Sequence, residues 1–288
     1  MPRIRPRPPL AVAIALLIVA VGAGCASPRL VSRAAAAVPR PAHVVVAVFE
    51  NHSGAEVLGA GSSAPYMRAL AAGGARLSNS HGVAHPSQPN YVALFSGSTR
   101  GVSGDSCPAD LGGRANLGRQ LVDAGRGFMG YSEGLPSAGF TGCGTGRYAR
   151  KHNPLADFSN LPASANQPFS AFPADFSRLP TLSLVVPDLC DDMHDCPVAT
   201  GDTWLRTHLG AYARWARTHD SLLIVTFDED DSTASNRIPT FFSGPMVKPG
   251  TYGERVTHYR LLRTLEAMYG LPALGSAAGT APISDTWE

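Results

Sequence analysis

Past residue 42 the chain is organised by two apolar, β-branched runs, His43-Val44-Val45-Val46-Ala47-Val48-Phe49 and Leu222-Leu223-Ile224-Val225-Thr226-Phe227. Neither alternates with polar residues, so both predict strands covered on both faces, the pattern of a parallel sheet. Shorter runs predict three more strands, at Gly127–Tyr131, Thr181–Val186 and Ile238–Ser243. Helical spacing of apolar positions predicts helices near 62–73, 88–96, 115–125, 202–218 and 258–269. Within 202–218, Leu205, Leu209, Tyr212 and Trp215 or Ala216 form one stripe, which marks a core contact. The stretch from 132 through Arg150 is Gly-rich and irregular. Strand and helix alternate throughout, so the expected class is α/β, a mostly parallel sheet with helices on both faces. One domain over residues 42–288 accommodates the whole pattern.

The first residues break this pattern. Arg3, Arg5 and Arg7 form a basic segment, Leu10 to Val21 an apolar one, and Gly22-Ala23-Gly24-Cys25 follows. That order predicts a secretory signal over residues 1–24. About a dozen apolar residues are too few for a transmembrane span, which needs ~20. Small residues running into a cysteine match a lipoprotein signal, in which Cys25 becomes the lipidated first residue and 25–41, rich in Ala, Pro and Arg, a tether. The protein is therefore expected to be exported, held to the membrane only by a lipid on Cys25, or else freely secreted. Composition adds a limit: 44% hydrophobic residues and a net charge of +2 allow a large core and give no reason to expect nucleic acid.

Setting Cys25 aside, four of the five cysteines remain, Cys107, Cys143, Cys190 and Cys196. Four allow three pairings. Cys190 and Cys196 are close in a polar segment and predict a short loop, which leaves Cys107 with Cys143. No CxxC spacing occurs, and export favours disulfides over a zinc site.

Candidate chemistry lies at the ends of the two long strands. Glu50-Asn51 follows one and Asp228-Glu229 the other, and reactive residues of open α/β sheets gather at the carboxyl ends of strands. Between them in sequence comes His85-Pro86-Ser87-Gln88-Pro89-Asn90. Two prolines restrict φ and the residues before them, so Ser87 belongs to an ordered turn. One hydroxyl, three carboxylates and an amide would meet at one edge, a donor set suited to a hard or borderline divalent cation. The bland reading of Ser87 is a helix cap, and that of Asp228-Glu229-Asp230-Asp231 a solvated loop.

Six motifs in order carry a resemblance: Glu50-Asn51-x-Ser53, His85-Pro86-Ser87-x-Pro89-Asn90-Tyr91, Lys151-His152-Asn153-Pro154, Asp192-Met193-His194-Asp195, Asp228-Glu229 and His258-Tyr259-x-Leu261-Leu262. From about His43 to its end the chain resembles the phosphoesterase family, which joins acid phosphatases to phospholipases C within the alkaline phosphatase superfamily. The resemblance implies an alkaline phosphatase-like fold. It implies that Glu50, Asn51, Asp228 and Glu229 hold the metal and that Ser87 attacks phosphorus to give a phosphoserine, which water then hydrolyses. A metal or a base is what a serine hydroxyl needs to become a nucleophile. Asn90 is expected to donate its amide to a phosphoryl oxygen. His152 and His194, as imidazolium, are expected to hold others or to protonate the leaving group. His85, Lys151, Asp192 and His258 complete the expected substrate contacts. Further Asp and His ligands for a second metal find no counterpart, so one ion of open identity is expected. His52 and Phe227 stand where relatives commonly carry Arg and Trp.

The resemblance leaves monoester and diester hydrolysis to be separated. Loops near 132–147 and 160–180 are rich in Gly, Ser, Ala and Pro rather than bulky apolar groups, and Lys151, His152 and His194 suit the extra charge of a monoester. An acid phosphatase acting on phosphate monoesters, with phosphoinositide monophosphates as targets the resemblance suggests, is therefore expected over a phospholipase C-like phosphodiesterase. A Ser-His-Asp esterase would need GxSxG, which Pro86-Ser87-Gln88-Pro89 is not. A binding lipoprotein without catalysis is the remaining class.

Overall fold

Eight strands form one sheet in a computed structural model that describes residues 1–3, 5 and 38–288. Most of the expected signal segment, Cys25 and most of the tether fall outside the described residues. Across the sheet the order is Gly250–Tyr252, Ala75–Leu77, Thr240–Ser243, Ser221–Phe227, His43–Phe49, Leu182–Val186, Phe128–Ser132 and Asn166–Pro168. Thr240–Ser243 pairs antiparallel with both neighbours, and every other pairing in this sheet is parallel.

The central strand explains the rest. His43–Phe49 pairs with Ser221–Phe227 along its whole length, from His43 opposite Ser221 to Phe49 opposite Phe227. Side chains alternate between faces with a period of two. Val44, Val46 and Val48 accordingly join the core beneath Gln88–Ser96, Leu117–Asp123 and His258–Tyr269. On the opposite face Val45, Ala47 and Phe49 pack with the helical segments Gly54–Leu58, Pro65–Ala72 and Val198–Ala216. All six are at most 1% exposed, and each Val or Phe buried this way contributes about 1.5–3 kcal/mol. Because the two strands are in register, the residues that follow them, Glu50 and Asp228, emerge side by side.

The helix Val198–Ala216 begins four residues earlier than its sequence pattern, just after Pro197, which initiates it. It also carries a π-helical turn at Leu205–Leu209. His258–Tyr269 has the expected bounds and ends at Gly270, whose φ of +67° gives the left-handed cap that glycine adopts without strain. Three short strands, Ala75–Leu77, Asn166–Pro168 and Gly250–Tyr252, have too few residues to show a period. Both disulfides pair as expected, Cys107 with Cys143 and Cys190 with Cys196. One expectation fails: the 160–180 segment is not free of bulky apolar groups. Phe169, Phe172 and Phe176 stack along it and line a groove of about 650 Å³ with Leu135 and His208. Among the described residues no helix is long and apolar enough to cross a membrane.

Candidate active site

Ser87 stands immediately before the helix Gln88–Ser96 with αR geometry, φ −57° and ψ −55°, and its side chain caps no helix N–H. Its hydroxyl is instead directed at the acidic strand ends. Oγ lies 2.9 Å from Glu50 Oε2 and 3.2 Å from Glu229 Oε1, with the side chain 2% exposed. A serine has one proton, so at any moment it donates to only one of these oxygens. The cap reading of Ser87 is thereby removed.

Asn90 does not take the role expected of it. Oδ1 accepts from the N–H groups of Val83 and Ala84 at 2.8 and 3.0 Å, and Nδ2 donates to the carbonyls of Ala84 and Pro86 at 2.9 and 3.3 Å. Both donors and both lone pairs of the amide are therefore engaged, leaving nothing for a phosphoryl oxygen. Asn90 holds the loop that presents Ser87.

Glu50 is fully buried and accepts a 2.6 Å hydrogen bond from the Tyr91 hydroxyl on Oε1. His152 stacks on the Tyr91 ring, with centroids 5.3 Å apart. Its Nδ1 lies 2.9 Å from Asp192 Oδ2, and its Nε2 is 3.2 Å from Glu50 Oε1 without the alignment of a hydrogen bond. Asp192, expected at the substrate, is used from both sides: its second oxygen accepts from the His194 N–H at 2.8 Å. The Cys190–Cys196 loop thus delivers two site residues on one rigid turn. Asn51, at φ +57°, occupies the left-handed region that Asn tolerates, and its backbone N–H donates to Asp228 Oδ1 at 3.3 Å.

Burial dominates the electrostatics. It pushes Glu50, Asp228 and Asp192 well above the usual carboxylate range, with the neighbouring carboxylates adding to the shift in each case. Glu229 also moves up, again through burial. His152 is held well below its ordinary value by burial, then by the charges of Lys151 and His194, so the expected imidazolium is a neutral ring here. Asp228 Oδ2 and His152 Nε2 are buried with no hydrogen-bond partner among the described residues. Like-charged buried groups with unused lone pairs fit a divalent cation, which would remove their mutual repulsion. The grouping that converges beside Ser87 differs from the expected quartet, however. Ligand atoms of Glu50, His152 and His194 lie within 4.8 Å of one another. Glu229 instead meets Glu50 across the serine hydroxyl.

Lys151, His194 and His85 edge the cluster. Lys151 Nζ is 3.0 Å from Asp105 Oδ2 and 3.0 Å from His194 Nε2, while His194 Nδ1 is 2.7 Å from Asp195 Oδ1. Lysine can only donate, which assigns the His194 proton to Nδ1. His85 sits with Nδ1 2.7 Å from Glu229 Oε2 and Nε2 3.3 Å from Asp230 Oδ1, its side chain 37% exposed. His258, expected at the substrate, places Nε2 2.6 Å from the carbonyl of Asp228, and burial lowers its pKa to about 4. A neutral ring that donates to this carbonyl fixes the strand end from behind.

Three contributors were not singled out from sequence. Tyr91 was inside a quoted motif, and its place one helical turn after Ser87 was the available signal. Asp105 receives the Gln88 N–H at 3.0 Å as well as Lys151, and Asp157 receives Gln88 Nε2 at 3.2 Å and Arg150 Nε at 3.0 Å. Both come from irregular segments with no local pattern. A second acidic group, Glu133, Asp188 and Asp191, also has ligand atoms within 4.8 Å of one another, but all three are only partly buried.

A match to the phosphoesterase family covers residues 60–272. A phosphatidylinositol-3-phosphatase of Mycobacterium tuberculosis is 50% identical over 259 residues, which is 89% of this chain and 86% of that protein. The phosphate-repressible acid phosphatase of Penicillium chrysogenum is 32% identical over 72% of this chain, which spans only 54% of that longer protein. Among solved structures, an alkaline phosphatase superfamily protein from Vibrio parahaemolyticus aligns with a TM-score of 0.58 at 15% identity, over 85% of this chain and 71% of that one. The lipoteichoic acid synthase LtaP of Listeria monocytogenes aligns equally well, 0.58 at 12% identity over 87% and 77%. At such identities the structural likeness establishes the fold, which is alkaline phosphatase-like.

Proposed function

The chain belongs to the phosphoesterase family and is a phosphoric ester hydrolase, and we propose that it cleaves phosphate monoesters through a phosphoserine at Ser87. The observation that carries this reading is a buried hydroxyl, free of any capping duty, 2.9 and 3.2 Å from two carboxylates. Ser87 Oγ forms the bond to phosphorus and passes its proton to the ionised carboxylate of Glu50 or Glu229, whose raised pKa makes it the stronger base. The ester oxygen departs with a proton from the rim formed by His85 and Lys151. Water then cleaves the phosphoserine and restores the hydroxyl. Positive charge on that rim also offsets the charge spread over the equatorial oxygens, where most catalysis of phosphoryl transfer resides.

Glu50 and Asp228, with His152 and His194, would hold a divalent cation, which supplies Lewis-acid stabilisation and a lowered pKa for the attacking hydroxyl. The enzyme is then metal-dependent, of one ion. Export by the segment 1–24, with lipid on Cys25 or free secretion, completes the proposal, and the likeness to a phosphatidylinositol-3-phosphatase makes phosphoinositide monophosphates the leading substrate class. Turnover of a panel of monoesters and diesters, with divalent metal removed and restored, tests it. Monoesters should be faster and chelation should abolish activity reversibly. Faster turnover of phosphatidylcholine or a bis-aryl phosphate would instead make the chain a phospholipase C-like phosphodiesterase.

A further inference from the structure

We infer that the molecule has a second anion site, separate from Ser87, in a recess at the far edge of the sheet where Arg68 and Arg76 receive a phosphate-bearing group. The recess encloses about 560 Å³ and no acidic residue lines it. Its origin is local. Ala75 and Leu77 of the strand Ala75–Leu77 belong to the core on one face, so Arg76 between them points to the other. There the helix Pro65–Ala72 turns Ala69, Ala71 and Ala72 towards the recess, side chains too small to fill it. Arg68 projects from the same helix one turn before Ala72. The cross-strand neighbours of Arg76 are Phe241 and Thr251, neither of which is charged.

Both arginines are half-buried, and neither guanidinium has an ion pair or side-chain hydrogen bond among the described residues. Arg100 by contrast has two backbone carbonyls and Arg150 has Asp157, while Arg126, which also lacks an acceptor, lies over the Tyr269 ring. A partly desolvated guanidinium without an acceptor loses hydration and gains nothing in return. Its planar fork matches the oxygens of a phosphate bidentately, and two forks at one recess match a phosphomonoester dianion. Two strands, Thr240–Ser243 and Ser221–Phe227, separate Ala75–Leu77 from His43–Phe49, and the helix that presents Ser87 packs on the opposite face. The ligand chemistry is thus shared with the substrate while the location is not. Its source is either free phosphate or the headgroup of an anionic lipid.

Side-chain Nε–H signals of Arg68 and Arg76 in the wild-type protein, followed by NMR during titration with inorganic phosphate, test the first source. Co-sedimentation with phosphatidylcholine vesicles carrying phosphatidylinositol monophosphate, for wild type, Arg68→Gln and Arg76→Gln, tests the second. Each substitution should weaken vesicle binding about five-fold, the equivalent of ~1 kcal/mol per basic side chain at an anionic surface, and leave turnover of a soluble aryl phosphate within about two-fold. Saturable shifts with unchanged vesicle binding assign the site to free phosphate. Weakened vesicle binding without such shifts assigns it to the lipid headgroup. Absence of both overturns the inference, and leaves Arg68 and Arg76 as solvated cations beside the end of a helix. Should a variant fail to fold, the wild-type titration and the milder Arg76→Lys still decide it.

Discussion

Two groups of acidic residues follow strands of the same sheet, and only one is built to react. Glu133 and Asp188 carry short loops: Glu133 Oε2 accepts the Asp188 N–H at 3.1 Å, and Asp188 Oδ1 accepts the N–H groups of Cys190 and Asp191 at 3.0 and 3.1 Å. One oxygen of each is used by the backbone, and both side chains are only partly buried. Glu50, Asp192 and Asp228 are almost wholly removed from water, repel one another, and face a hydroxyl, a neutral imidazole and an orphaned oxygen. Burial together with unused acceptors is what distinguishes a site from a loop brace.

The sharpest way to break this contrast is Ser87→Ala, which should lower kcat by about 10⁴-fold or more while leaving the fold intact, since the nucleophile has no packing role. Residual kcat within ten-fold of wild type would remove Ser87 as nucleophile. Glu50→Gln or Asp228→Asn should cost about 10²–10³ in kcat and weaken divalent cation binding measured by calorimetry. Either change should also raise the cation-free Tm at neutral pH by ~2–4 °C, because it deletes a buried like charge at a gain of roughly 1 kcal/mol. Glu133→Gln should leave kcat within about two-fold, and a loss comparable with Glu50→Gln would erase the distinction between the two groups. Asn90→Ala should cost about 1–3 kcal/mol in urea unfolding, because two loop N–H groups lose their acceptor, with a fall in kcat secondary to Ser87 placement.

Dependence on pH gives a smaller effect of defined sign. Burial raises Asp157 from 3.8 to about 6, outweighing its ion pair with Arg150, and raises Glu266 from 4.5 to about 7. Glu50, Asp192, Asp228 and Glu229 shift the same way. A raised carboxylate pKa means stability that is complete below the unfolded value and lost as pH rises through the folded one. His81, His152 and His258, lowered by burial, act in the opposite sense but are outnumbered by these carboxylates, which Glu133 and Asp191 join. Cation-free protein should therefore lose ~1–2 kcal/mol between about pH 4.5 and 7, a fall of roughly 2–8 °C in Tm, and bound divalent cation should flatten that slope. A cation-free Tm that climbs across this window would contradict the burial argument.

Local chemistry made much of this legible. Uninterrupted β-branched runs marked both central strands, and the helix His258–Tyr269 was read at its own bounds because apolar spacing and a following glycine agree there. Ser87, Glu50 and Asp228 could be placed because their strands and turn are short-range features. Asn90 misled because its type is equally suited to a ligand contact and to a loop, and sequence does not reveal which backbone groups lack partners. Asp105 and Asp157 act over 17 and 69 residues of separation through irregular segments, and no period encodes such contacts. The aromatic Phe169–Phe176 segment was obscured by the small residues between its rings. Helix Val198–Ala216 starts before its stripe at Leu205 because its first turn, Val198-Ala199-Thr200-Gly201, carries only one large apolar residue.

The central claim is that the Ser87 oxygen becomes bonded to phosphorus, and acid quenching during turnover of an aryl phosphate, followed by peptide mass spectrometry, examines that bond directly. The account predicts a phosphoryl group on the peptide containing Ser87, absent when Ser87 is Ala and lost on further incubation with water before quenching. A protein that turns over substrate at full rate with no phosphorylated Ser87 at any quench time, or with the label on another residue, would contradict it.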